Sequence, residues 1–157
     1  MDESASPEEL QELIGYQFHE LENLESALTR RGYLKENLSN NENHMDPLAT
    51  LGDAILSAVV VYALYEKGNR QKGTLTADKI LSVNRATTRA FAKKHHLQRY
   101  IHWGKGEIKN EIWNLGNQAF DTAFEALIGA VFLDAQTHEG NGIAAVTKML
   151  KRLKYIE

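Results

Sequence analysis

Apolar residues recur along this chain at helical spacing. Leu21, Leu24 and Leu28 stand three and four apart, the interval that lines one side of an α-helix. Ser6-Pro7-Glu8-Glu9 reads as a helix start, with serine as cap, proline first and glutamate three after the cap. Gly15 reads as that helix's stop, and Gly32 as the stop of the Leu21 helix. Lys35 to His44 (KENLSNNENH) has no apolar period and predicts a polar loop. Asp46-Pro47 should cap a helix running to about Lys67, with a turn from Gly68 to Gly73. Thr74 or Thr76 opens another helix, broken near Asn84 and resumed to His96. Leu97 to Glu107 reads as a short connection and Leu115 to Asp134 as a long helix. Gly140 to Gly142 interrupts it, and Ile143 to Leu153 forms a last helix within a closing unit of residues 141–153. No strand-like alternation, internal repeat or linker is visible. The expectation is a single all-α domain over residues 1–157.

Composition narrows this. Hydrophobic residues make up 43% and charged residues 25%, the balance of a globular domain able to bury a core. Two prolines among 157 residues leave room for long helices. The absence of cysteine excludes disulfides and thiol chemistry and sets a cytoplasmic location as the expectation. A net charge of −3 excludes a grossly basic nucleic-acid coat but not a local basic surface. The acidic start, MDESASPEEL, is unlike a signal peptide. The longest uncharged run, Ala54 to Tyr65, falls short of the roughly 20 residues that span a bilayer, so no membrane partner is expected.

The candidate chemistry lies in two helices that are almost free of charge. Between Pro47 and Tyr65 the only charged residue is Asp53; between Ala119 and Leu133 the only ones are Asp121 and Glu125. A buried carboxylate is costly unless it is paired or binds a metal. One such acid is more often a structural ion pair, but two on two core-type helices point to a shared metal site. Asp121 and Glu125, four apart, share a helix face. Asp46 and Asp53 also share one, but stand about 10 Å apart along the axis. Oxygen donors without cysteine suit a hard cation, Mg²⁺ first and Mn²⁺ second.

Five stretches in register resemble the ribonuclease III family. Leu48 to Leu56 (LATLGDAIL) resembles the family's signature helix, usually written Leu-Glu-Phe-Leu-Gly-Asp-Ala. Leu24 to Tyr33 (LESALTRRGY) is similar to its early helix, and Lys72 to Thr76 (KGTLT) to its Glu-Gly-x-Leu-Ser turn. Tyr100 to Glu107 (YIHWGKGE) and Phe124 to Asp134 (FEALIGAVFLD) resemble its Gly-Lys-Gly-Glu and closing-helix segments. The likeness runs from about Leu13 to Asp134. It implies the helical ribonuclease III catalytic-domain fold, a homodimer, and Mg²⁺-dependent cleavage of double-stranded RNA leaving 5′-phosphate and 3′-hydroxyl ends. Asp53 matches the signature-helix aspartate and Glu125 the closing-helix glutamate, the pair expected to be both catalytic and metal-binding. The apolar signature helix, with Ala49, Thr50 and Ile55, carries more than one helix face needs and is expected to pair the two copies.

Two of the family's four acids are missing. They fall on Ala49 and Thr122, and the acid of the turn falls on Lys72. Asp121 is one residue from the expected place; about 40° to one side of Glu125 where position 122 lies about 60° to the other, it is a further metal candidate only if the helix rotates. Asp46, three before Ala49, is a candidate for the outer shell of ligands. A site with two or three carboxylates should bind metal more weakly, although Mg²⁺ works from one or two plus substrate phosphates. The alternatives are a catalytically inactive relative that binds or scaffolds structured RNA, and a helical metal phosphohydrolase acting on small molecules. The stretch after Asp134 is too short for a separate double-stranded-RNA-binding domain, so RNA binding should be weak and salt-sensitive. His95, His96 and His102 read as surface residues, Trp103 and Trp113 as packing anchors, and Lys148, Lys151, Arg152 and Lys154 as complements to a helix C-terminus.

Overall fold

The computed structural model describes residues 5–37, 42–114 and 119–157. Among them the helices are α1 (Pro7–Ile14), α2 (Leu21–Leu28), α3 (Arg31–Glu36), α4 (Met45–Glu66), α5 (Lys72–Val83), α6 (Arg85–Lys94), α7 (Lys105–Lys109), α8 (Ala119–Glu139) and α9 (Gly142–Arg152), with 3₁₀ turns at Leu97–Arg99 and Ile112–Asn114. No strand forms among the described residues; one isolated bridge joins Thr29 to His102. The expected all-α class holds.

The expected start and stop of α1 are present. The Ser6 hydroxyl accepts from the Glu9 N–H at 3.2 Å, and Gly15 closes the helix in the left-handed conformation at φ 70°. Arg152 then tops the last turn of α1, donating to the carbonyls of Leu13 and Glu12 at 3.1 and 2.8 Å. That cap uses one of the four cations assigned to the end of α9. The break at Asn84 is also present, and this one residue ends α5 and caps α6, its side-chain oxygen accepting from the Thr87 N–H at 2.9 Å.

Other boundaries differ. The Leu21 helix stops at Thr29 rather than near Gly32, because backbone bonds to a distant segment take over. The His102 N–H donates to the Leu28 carbonyl, the Arg30 N–H to the His102 carbonyl, and the Met45 N–H to the Thr29 carbonyl. Helix α3 then runs through Gly32 into the expected loop. His44, not Asp46, caps α4, its Nδ1 accepting from the Asp46 N–H. Helix α5 begins at Lys72, ahead of both threonines. Helix α7 forms where Leu97 to Glu107 reads as a plain connection, and its Glu107 accepts from Gly104 N–H and from Arg30. Helix α8 continues past Asp134 to Glu139, where Gly140 turns left-handed at φ 69°. Its expected start at Leu115 lies outside the described residues.

Helix α8 is the axis of the domain. Helices α2, α4, α6 and α9 all pack on it, and Phe120, Phe124, Leu127 and Ile128 are buried along its length. The α4–α8 crossing is closest at Gly52 and Gly129. A Cβ on Gly52 would sit 1.7 Å from the Glu125 carbonyl oxygen, and one on Gly129 would sit 2.1 Å from the Leu48 carbonyl oxygen. Only glycine lets the two backbones approach so closely. Helix α4 is long and apolar enough to cross a membrane by length and composition alone, which the count of uncharged residues overlooked. In this fold it instead lays one side on α8 and leaves Tyr62 (62% exposed) and Tyr65 (43%) outside.

Both tryptophans are packing residues: their ring centroids lie 5.4 Å apart, and Trp103 Nε1 donates to the Gln98 carbonyl. His95 departs from the expected surface position. It is half-buried against Phe91, and burial lowers its pKa.

Candidate active site

The α4–α8 crossing sets two acids beside one another. Asp53 follows Gly52 on α4, and Glu125 contributes the carbonyl that Gly52 approaches. Both line a cleft of about 450 Å³ together with Asp46, Ala49, Thr50, Val83, Asn84, Arg85 and Thr122. Three helix-terminal or helix-interior segments therefore meet there: the first half of α4, the α5–α6 elbow and the N-terminal half of α8.

Exposure distinguishes the acids. Asp46 and Asp53 face solvent, whereas Glu125 sits at the edge of the core. Burial pushes the Glu125 carboxyl up to about 7, the negative charges of Asp53 and Asp121 add to the effect, and Arg85 opposes it. Glu125 thus holds or releases a proton near neutral pH. Tyr155 lies close enough for Glu125 to assist burial in raising its phenol to about 12.

Asp121 is placed elsewhere. It is only 3% exposed and pairs with Arg89, whose Nη2 lies 3.4 Å from Oδ1. It does not line the cleft; Thr122, on the other side of Glu125 around the helix, does. Ala49 lines the cleft too and is otherwise buried, at 7% exposure. It therefore cannot serve the outer, copy-pairing side of α4 on which the sequence placed it.

The donor set suits a hard divalent cation: carboxylate oxygens from Asp53 and Glu125, with Asp46 further along α4 and no softer ligand among the lining residues. Among the described residues no three such side chains already stand as a metal cage, so an ion here would complete its shell with water or substrate oxygens.

Sequence reading missed Asn84 and Arg85. Asn84 was visible as a helix break but not as a wall of the cleft, and Arg85 followed it unremarked. The available signal was spacing. Arg85 and Arg89 stand four apart on α6, as Asp121 and Glu125 do on α8, and with Lys93 over the Phe120 ring at 5.4 Å the two helices align antiparallel, Arg85 toward Glu125 and Arg89 toward Asp121.

Comparison with known proteins shows the family and the fold. The Ribonuclease-III-like family model matches residues 20–152. Ribonuclease 3 of Listeria innocua is 34% identical over 147 residues, covering 93% of this chain and 61% of the relative. Ribonuclease 3 of Streptococcus mutans is 33% identical over 141 residues, covering 87% of this chain and 56% of the relative. The chain thus spans about three fifths of the length of these curated relatives. The nuclease domain of ribonuclease III from Campylobacter jejuni, which shows structural flexibility in a region involved in dimer formation, superimposes with a TM-score of 0.78 at 25% identity, covering 94% of this chain and 95% of that one.

Proposed function

The chain belongs to the ribonuclease-III-like family, and from that premise we propose that it is a metal-dependent endoribonuclease that cuts double-stranded RNA as a homodimer. One observation carries the reading: Asp53 and Glu125, on helices distant in sequence, line the same cleft at the place where Gly52 lets those helices touch. Mg²⁺ or Mn²⁺, held by Asp53 and Glu125, would supply a water of lowered pKa and neutralise charge on the phosphate. The protein's own part is to hold the two carboxylates on rigid helices; the metal-free Glu125 carboxyl, near 7, would give up its proton to take the ion. With Ala49 and Thr122 in the remaining cleft positions, the site is poor in acids and depends more on substrate oxygens for the metal's shell.

The outer side of α4 supports the dimer. Ala54, Ala58, Tyr62 and Tyr65 face solvent along it at helical spacing and form an exposed apolar strip. A strip of this kind suits a two-fold interface in which the same patch serves both copies. Dimer formation in the Campylobacter jejuni domain fits that use. A cytoplasmic setting rests on the cysteine-free composition alone.

The test is incubation with double-stranded RNA and Mg²⁺ or Mn²⁺ beside an Asp53→Asn, Glu125→Gln double variant. Cleavage by the native protein and none by the double variant is expected. RNA binding without cleavage under every metal condition would replace the reading with that of a non-catalytic RNA-binding or scaffold protein.

A further inference from the structure

Arg85 is the one cation among the residues that line the cleft, beside the acids Asp46, Asp53 and Glu125, yet it forms no bond with any of them. Among the described residues its side chain has no hydrogen bond and no ion pair. Arg89, one turn later on the same side of α6, differs. Its guanidinium is held at 3.4 Å by Asp121, which is nearly fully buried. One arginine of the pair is thus fixed in the structure, and the other stands exposed at the mouth of the cleft with its donor fork uncommitted.

Its position is not left to chance. Asn84 ends α5 and caps α6 through the Thr87 N–H, and the Thr87 hydroxyl bonds back to the Leu81 carbonyl at 2.8 Å. These bonds fix the backbone at the residue just before Arg85, and Asn84 is itself a wall of the cleft.

Charge indicates what the fork takes. Asp46, Asp53 and Glu125 present three carboxylates against one guanidinium. One divalent ion brings that sum to zero, which admits the single negative charge of a phosphodiester better than the double charge of a free phosphate. A planar guanidinium pairs with two oxygens of one phosphate, a geometry that a lysine ammonium does not reproduce. Ala49 and Thr122 offer no charge of either sign on the opposite wall.

We propose that Arg85 binds an RNA backbone phosphate at the cleft and so sets which phosphodiester lies over Asp53 and Glu125. The proposal rests on the endoribonuclease reading above and adds to it a residue of α6, outside the two acid-bearing helices.

The test is binding of double-stranded RNA with Ca²⁺ in place of Mg²⁺, a hard divalent ion that keeps the charge balance of the cleft, as a function of salt and with the RNA checked to stay intact, for the native protein, Arg85→Ala, Arg85→Lys and Arg89→Ala. Loss of one phosphate contact should weaken binding by Arg85→Ala about fivefold to tenfold and lower the salt slope by about one. Arg85→Lys should keep the slope and recover only part of the affinity. Arg89→Ala should lower thermal stability, because it leaves Asp121 buried and unpaired, while the slope stays near native. If Arg85→Ala fails to fold, Arg85→Gln carries the same slope measurement. Native affinity and slope in the charge-removing variant would overturn the proposal while native cleavage left the enzyme reading standing. A native protein that neither binds nor cuts double-stranded RNA would overturn both.

Discussion

Gly52 of α4 and Glu125 of α8 meet backbone to backbone: a Cβ on Gly52 would stand 1.7 Å from the Glu125 carbonyl oxygen. The contact sets the spacing of the candidate site, because Asp53 is the next residue of α4 and the Glu125 side chain leaves from the same point of α8. Alanine favours an exposed helix by about 1 kcal/mol over glycine, but here the clash decides. Gly52→Ala should destabilise by about 3 kcal/mol or more, the upper end for overpacking, and lower Tm by roughly 6–12 °C for a domain of this size. Gly129→Ala, aimed at the Leu48 carbonyl, should behave alike. Thermal and urea melts check both; unchanged melts would mean that the helices separate at little cost.

Glu125 should impose a pH dependence on stability in the absence of metal. Its carboxyl is raised from 4.5 to about 7, so between those values the folded chain binds more protons than the unfolded one. Stability should therefore fall as pH rises through that window and level off above it. Glu125→Gln should flatten the profile and be more stable than native at pH 8 in EDTA. Added Mg²⁺ should remove the native protein's loss. Urea titrations across pH measure all three.

Asp134 has the opposite sign. It is fully buried; burial alone would raise its pKa, but the N–H groups of His19 and Glu20, the Tyr16 hydroxyl and the Asn23 amide together hold it below the ordinary value. Its contribution is present above the unfolded pKa of about 4 and is lost as pH falls through the lower folded value. Asp134→Ala leaves those donors facing a cavity and should cost about 3–5 kcal/mol at neutral pH. A loss under 1 kcal/mol in urea denaturation would mean that water replaces the carboxylate.

The outer strip of α4 gives a test of assembly. Tyr62→Glu together with Ala58→Glu places charge in the middle of it without touching the cleft. Sedimentation at tens of micromolar should show a dimer for the native chain and a monomer for the variant. A native monomer would leave the strip without that use.

Restoring the absent acids tests what limits the site. Ala49→Glu lies one turn before Asp53, and Thr122→Asp lines the cleft beside Glu125. The double variant should need less Mg²⁺ for cleavage, with a smaller gain in Mn²⁺, which binds a given site more tightly. Without metal it should be less stable than native through like-charge repulsion, and regain stability when metal is added. If neither change occurs, Lys72 is the next position to examine.

The sequence carried most of what is local. The Ser6 cap, the Gly15 stop and the Asn84 break follow from side-chain chemistry within four residues, and all are present. What it could not carry was decided at long range. Nothing near Thr29 signals the bonds from His102 and Met45 that end α2 there. The placement of Thr122 in the cleft followed from the family resemblance, whereas the binding of Asp121 by Arg89 required knowing that α6 lies antiparallel on α8. Ala49 was misplaced for a similar reason: an apolar residue on a two-sided apolar helix does not reveal which side it faces.

The bonds that converge on Asp134 tie residues 16 to 23 to a point more than a hundred residues later. During synthesis the early helices therefore emerge long before the helix that covers them. At about 5–20 residues per second, α1 and α2 wait on the order of ten seconds for their anchor. Over that interval Leu24, Leu28 and the apolar length of α4 have nothing of α8 to pack against. A ribosome that stalls short of residue 134 releases a chain with its most adhesive surfaces uncovered, a substrate for chaperones and proteases rather than a partly working domain.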